Sequence, residues 1–175
     1  MNIPKQLFFE VQKQKGAIIW LLLAALTIIS FTIMLLCYKD LEHLQSKFSK
    51  NEFLIIGGII SLMFIGLYFL FLNIKMVTKI DDKGIHFRYP PFKNKFDTVS
   101  LTEISSFEVS EYKPMKEYGG WGFKKMGKPH GKNTAYTISG KIALKIKLKS
   151  NIIILLGTQR KDALTYTLRK LMEHK

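Results

Sequence analysis

A single cysteine, Cys37, stands in 175 residues. One thiol excludes an internal disulfide framework and any cysteine-based zinc site. Its place at the end of an apolar run reads as an inert membrane-edge thiol. Histidine is sparse as well: His43, His86, His130 and His174 are scattered, with no His-x-x-x-His spacing and no carboxylate partner at ligand spacing. Neither a nucleophile elbow nor paired carboxylates on rigid elements is recognisable. The sequence therefore predicts no catalytic residue, no cofactor and no metal site, and Asp81-Asp82 reads as turn chemistry. An enzyme with an unrecognised site is left as the remote alternative.

Charge of either sign is missing from two stretches. Ala17 to Cys37 is 21 residues long and Phe53 to Leu72 is 20, both uncharged. At 1.5 Å per residue a helix of that length covers ~30 Å, a bilayer core. A helix satisfies its own backbone in lipid, so an all-round apolar surface is what a span needs. The first run exceeds the ~7–15 residues of a signal-peptide core, and no small-x-small cleavage pattern follows it. The expected organisation is an N-terminal cytoplasmic segment (1–16), a first span (17–37), a short external loop (38–52), a second span (53–73) and a basic domain (74–175). In the loop, Leu41, Leu44 and Phe48 share one helical face and suggest that the helices extend past the membrane. Gly57, Ser61, Ala24 and Ala25 are candidate packing positions between the spans. Ile3, Leu7, Phe8 and Val11 are spaced for one face of a short interfacial helix.

Acidic residues are also few, 13 against 27 Lys and Arg, for a net charge of +14. The excess is uneven. Residues 1–73 carry 6 basic and 4 acidic side chains and residues 74–175 carry 21 and 9, so +2 and +12 make up the total. Such a segment points to a polyanionic neighbour, and a membrane tether argues for anionic headgroups over nucleic acid. Lys5, Lys13 and Lys15 before the first span, and Lys75, Lys79, Lys83 and Arg88 after the second, place both termini in the cytoplasm by the positive-inside rule. The loop's Lys39, Lys47 and Lys50 weaken the contrast.

From Lys75 the apolar period becomes two. Strands are expected at Met76–Ile80, Ile85–Tyr89, Phe96–Leu101, Ile104–Val109, Ala135–Ile138, Lys141–Lys149 and Ile152–Leu156, with turns at Asp81–Gly84 and Ser150-Asn151. After Thr158, a capping residue, Leu164, Leu168 and Leu171 mark one face of a last helix. Between them lies a Gly- and Lys-rich segment. Its Gly119-Gly120-Trp121-Gly122 is read first as a sharply bent strand with Trp121 packed on the sheet, and second as a contact loop. Trp121 and Phe123, with Lys113, Lys116, Lys124, Lys125, Lys128 and Lys132, are the candidate lipid or partner contacts.

About seven antiparallel strands and one helix suggest a curved sheet plugged by the helix. That arrangement resembles the pleckstrin-homology-like (PH-like) fold. The whole chain resembles a small bacterial membrane-protein family with two transmembrane helices and a C-terminal PH-like domain. The stretches that carry the resemblance are Glu117-Tyr118-Gly119-Gly120-Trp121-Gly122 and Leu155-Leu156-Gly157-Thr158-Gln159-Arg160. It implies fold and inner-membrane topology and brings no site residues. Where that family often has Pro after Arg160, this chain has Lys161. The expected role is a non-catalytic binding or scaffold module, acting through protein contacts or self-association. Anionic headgroup recognition is the alternative.

Overall fold

The structure, a computed structural model, describes residues 7–14, 16–40, 49–126 and 133–173. The chain divides into two units, residues 15–73 and a second formed by 1–14 together with 74–175.

The first unit is a helical pair, α1 (Ala17–Asp40) and α2 (Lys50–Asn73). Both helices are long and apolar enough to cross a membrane. Ile18, Leu21, Ile55 and Phe69 are exposed on their outer surfaces, an arrangement that suits lipid and is costly in water. A Ser49–Glu52 capping box starts α2: the Ser49 amide donates to Glu52 Oε2 at 2.8 Å and the Glu52 amide donates to Ser49 Oγ at 3.2 Å. Gly57 is buried where the helices meet, and a Cβ there would fall 2.3 Å from Met34 Sδ. The Ser61 hydroxyl donates to the Gly57 carbonyl at 2.8 Å, so its own polar group is paired within the helix. Trp20 stacks on Tyr68 at 6.3 Å. Of the expected packing positions, Gly57 is buried, Ala24 half-buried, and Ser61 and Ala25 exposed. Helix α1 runs past Cys37 to Asp40, whereas Leu41, Leu44 and Phe48 lie outside the described residues.

Among the described residues the second unit has nine strands: β1 (Phe8–Lys13), β2 (Lys75–Ile80), β3 (Gly84–Tyr89), β4 (Lys93–Ser100), β5 (Ile104–Glu111), β6 (Gly122–Met126), β7 (Asn133–Thr137), β8 (Ile142–Leu148) and β9 (Ile153–Gly157). A short helix α3 (Pro114–Tyr118) precedes β6, and the long helix α4 (Lys161–Glu173) is the last described element. One sheet has the order β1-β2-β3-β4 and the other β5-β8-β9-β7-β6. All seven expected strands are present. The two additional ones are β1 and β6, and β7 pairs with β9 in parallel, so the expectation of about seven strands, all antiparallel, is corrected on both counts. Asp81 supports the β2–β3 turn and Asn151 takes a left-handed φ of 61° in the β8–β9 turn. Side chains from both sheets meet in one core with α4, whose Leu164 and Leu168 are buried beside Met76, Ile85, Leu144 and Leu156.

Strand β1 replaces the expected interfacial helix at Phe8 and Val11, while Ile3 lies outside the described residues. Phe8, Glu10 and Gln12 face inward while Phe9 and Val11 face out, a period of two rather than 3.6. The inward polar pair has partners in the corner between β9 and α4. Glu10 Oε2 accepts from the Thr158 hydroxyl at 2.8 Å, and Oε1 accepts from the Gln159 amide at 2.7 Å. Gln12 Nε2 donates to the Gly157 carbonyl at 2.5 Å. Outside, Arg160 donates to the Phe9 carbonyl at 3.1 Å and lies over the Phe8 ring. The Gly157-Thr158-Gln159-Arg160 stretch is thus the receptor for the N-terminal strand. Thr158 also accepts the Arg160 amide at 3.1 Å, just before α4 begins. The register sets Lys13 opposite Lys75. The segments entering and leaving the helical pair therefore belong to one sheet.

Candidate functional site

The candidate site is a pocket of about 470 Å³ beside α3, and its walls are built by local rules. Pro114 opens α3, where its missing N–H costs nothing. The Glu117 carboxylate reaches back to accept the Lys113 amide at 3.1 Å. Gly119, at φ 61°, closes the helix in the left-handed conformation that favours glycine. Its amide donates to the Met115 carbonyl at 3.2 Å, the 5→1 bond of an αL cap, and the Gly120 amide donates one residue further back, to the Pro114 carbonyl at 2.8 Å. Lys124 then donates to the Tyr118 and Gly119 carbonyls at 2.5 and 2.6 Å, a cation at the negative end of the turn. This segment corrects the first reading of the glycine-rich stretch, since Gly119 and Gly120 form a helix cap and turn and only Gly122 belongs to a strand, as the first residue of β6.

Trp121 emerges from that turn. Its indole N–H donates to the Gly140 carbonyl at 2.8 Å, which fixes the ring, yet the side chain is 42% exposed. Met115 beside the same pocket is 69% exposed. Tyr112 and Pro114 add buried apolar wall, and Glu111, Lys113, Lys116, Glu117 and Lys141 add charge of both signs. Burial raises the Tyr112 hydroxyl above its ordinary pKa, so this wall is neutral at physiological pH.

The expected contact residues do not form one cluster. Trp121, Lys113 and Lys116 line the pocket. Phe123 lies on β6, stacked on Tyr136 at 4.9 Å and still 40% exposed. Lys124 is engaged as the helix cap, and Lys125 is exposed on β6. Lys128 and Lys132 lie outside the described residues. Glu111, Tyr112, Pro114, Met115, Glu117 and Lys141 complete the pocket and were missed; Met115 sits in an aperiodic segment and Lys141 reads as part of a solvated lysine face. Pro followed three residues later by Glu was the available helix-start signal at Pro114 and Glu117.

His43, His130 and His174 lie outside the described residues, and His86 belongs to a second polar group. His86 Nε2 lies 2.9 Å from Asp81 Oδ1 and Nδ1 lies 2.8 Å from Thr98 Oγ1, its register partner across β3 and β4. The same Asp81 oxygen accepts the Lys83 and Gly84 amides at 3.0 and 3.2 Å. Lys79 Nζ lies 3.3 Å from Oδ2. Burial alone would raise the Asp81 carboxyl, but the His86 and Lys83 hydrogen bonds outweigh it and hold the group below its usual value. The carboxylate is occupied in fastening the turn. Among the described residues, no group of three or more His, Cys, Asp or Glu side chains is placed to share a metal ion.

Comparison with family models, curated proteins and solved structures finds no match.

Proposed function

We propose that this chain is a membrane-anchored, non-catalytic binding module that acts through protein contacts or self-association. The observation that carries the proposal is the α3 pocket. Trp and Met are enriched at protein interfaces, and an aromatic anchor held in a rigid frame loses little entropy on binding. Here the frame is the Gly119 cap, the Lys124 bonds and the Trp121–Gly140 bond, while Met115 and Trp121 stay exposed. Mixed charge beside an apolar patch suits a protein surface better than a uniformly anionic one. Two sheets around a core with an amphipathic C-terminal helix support a PH-like ancestry, with β1 as an addition from before the helical pair. The basic flanks Lys13, Lys75, Lys79 and Lys83 support placing the domain at the cytoplasmic face of an inner membrane.

Anionic headgroup recognition is the second reading, favoured by Lys113, Lys116 and Lys141 at the pocket. The two readings separate in mild detergent. Wild type is expected as a homo-oligomer or with a stoichiometric protein, and Met115→Glu as a monomer of unchanged fold. Wild type purifying as a lone monomer would overturn the protein-contact reading. Salt-sensitive flotation of that monomer with anionic vesicles would support the second.

A further inference from the structure

We infer that the β3–β4 hairpin tip and the adjoining outer face of β1 form a second, interfacial membrane contact that docks the domain on the headgroup layer of its own bilayer. This rests on α1 and α2 being spans. Lys75 follows the last residue of α2 by two positions, and two residues reach at most ~7 Å. Lys13 precedes α1 by four. Both lysines therefore sit within a short tether of the hydrocarbon edge, and they are register partners. The Lys75 amide donates to the Pro90 carbonyl at 3.1 Å, which fixes the tip of the β3–β4 hairpin at the same end of the sheet.

The tip has the composition of an interfacial anchor. Phe92 is 62% exposed although it stacks on Tyr89 at 6.2 Å, and Lys95, three residues further on in β4, is exposed. Behind it Arg88 lies 4.7 Å over the exposed Phe96 ring. Val11 and Arg88 are both register partners of Val77, so Val11, itself exposed, flanks this group on the outer face. Aromatic rings with a basic rim are what the headgroup layer accepts: rings enter the acyl boundary and cations meet phosphate. Asp97, the nearby acid, is engaged by Lys93, so no free carboxylate opposes the contact within this group. A bilayer is favoured over a protein partner because the tether already delivers the tip to it.

The test uses the full chain with Cys37→Ser and one new cysteine, Phe92→Cys or the exposed α4 position Tyr166→Cys, carrying an environment-sensitive fluorophore. Each is reconstituted into phosphatidylcholine vesicles with or without phosphatidylglycerol. A quencher borne at shallow depth on lipid is expected to quench position 92 roughly threefold more than 166, with iodide access reduced to match. Omitting phosphatidylglycerol, or adding Lys95→Glu, is expected to lower that contrast about twofold. Equal lipid quenching at the two positions would overturn the inference. So would shielding of 92 from iodide without lipid quenching, which would mean that protein covers the tip. Release of the chain from vesicles by alkaline wash would overturn the spans themselves, a separate failure.

Discussion

Glu10→Ala is the perturbation that most directly probes how the segment before the helical pair is held. Glu10 is 6% exposed, and its carboxylate accepts two hydrogen bonds, from Thr158 Oγ1 and from the Gln159 amide. A hydrogen bond to a charged group contributes about 1.5–3 kcal/mol, and a buried donor left unpaired costs about 1–3. Gln159 is exposed and its amide regains water on truncation, whereas Thr158 is 2% exposed and stays dry. The expected loss is therefore about 3 kcal/mol, with Glu10→Gln, which keeps shape and one acceptor, losing about half of that. Hydrogen exchange of the full chain in mild detergent reads the effect where it should arise. Residues 8–13 and 157–160 are expected to lose protection while β6 and β7 keep theirs. A double-mutant cycle with Thr158→Val is expected to show coupling of at least about 1 kcal/mol. If Glu10→Ala changes protection by less than ~0.5 kcal/mol, or the two changes are additive, the N-terminal strand is not bolted through this carboxylate.

Three further outcomes follow from the same geometry. Asp81→Asn should destabilise the domain by about 2 kcal/mol near neutral pH, since the ionised carboxylate is the acceptor for His86 and two amides. The folded carboxyl titrates below 3.8, so its contribution is present above that value and fades as pH falls through the lower folded value; denaturation at pH 7 and pH 3 should show the gap to wild type closing in acid. Gly57→Ile should force α1 and α2 apart at Met34, at a cost of about 1–3 kcal/mol, while Gly57→Ala is absorbed by the flexible methionine; disulfide yield between Trp20→Cys and Tyr68→Cys in a Cys37→Ser background reads the difference. Lys124→Met should loosen the α3 cap and red-shift Trp121 fluorescence by removing bonds of about 1–2 kcal/mol in total, measured in a Trp20→Phe chain against Lys125→Met, which should leave the spectrum unchanged.

How much of this was legible depended on whether polarity and period agreed. In β8, Leu144 and Ile146 are buried and Lys145 and Lys147 exposed, so the strand and its facing could be read from residues alone. In α4 the Leu164–Leu168 spacing served equally well. Strand β1 inverts the signal. Its inward positions include Glu10 and Gln12, made tolerable by partners about 145 residues away, while Phe9 and Val11 face out. A pattern read locally cannot supply a partner so distant in sequence, and the apolar spacing suggested a helix instead. The pocket was half legible: Trp121 among glycines marked the place, but Met115 and Lys141 join it only through the turn geometry that Gly119 and Gly120 create. His86 and Asp81 were adjacent in sequence to a turn already recognised, yet their contact depends on the β2–β3 register.

The central claim, that the anchored domain works by protein contact through the α3 pocket, is tested most directly by photo-crosslinking in cells. A photoreactive amino acid at Met115 should give one discrete protein adduct, either a second copy or a single partner identified by mass spectrometry. The same group at exposed Lys147 on β8 should give none. Lipid adducts alone from position 115, or identical protein patterns from 115 and 147, would contradict the claim.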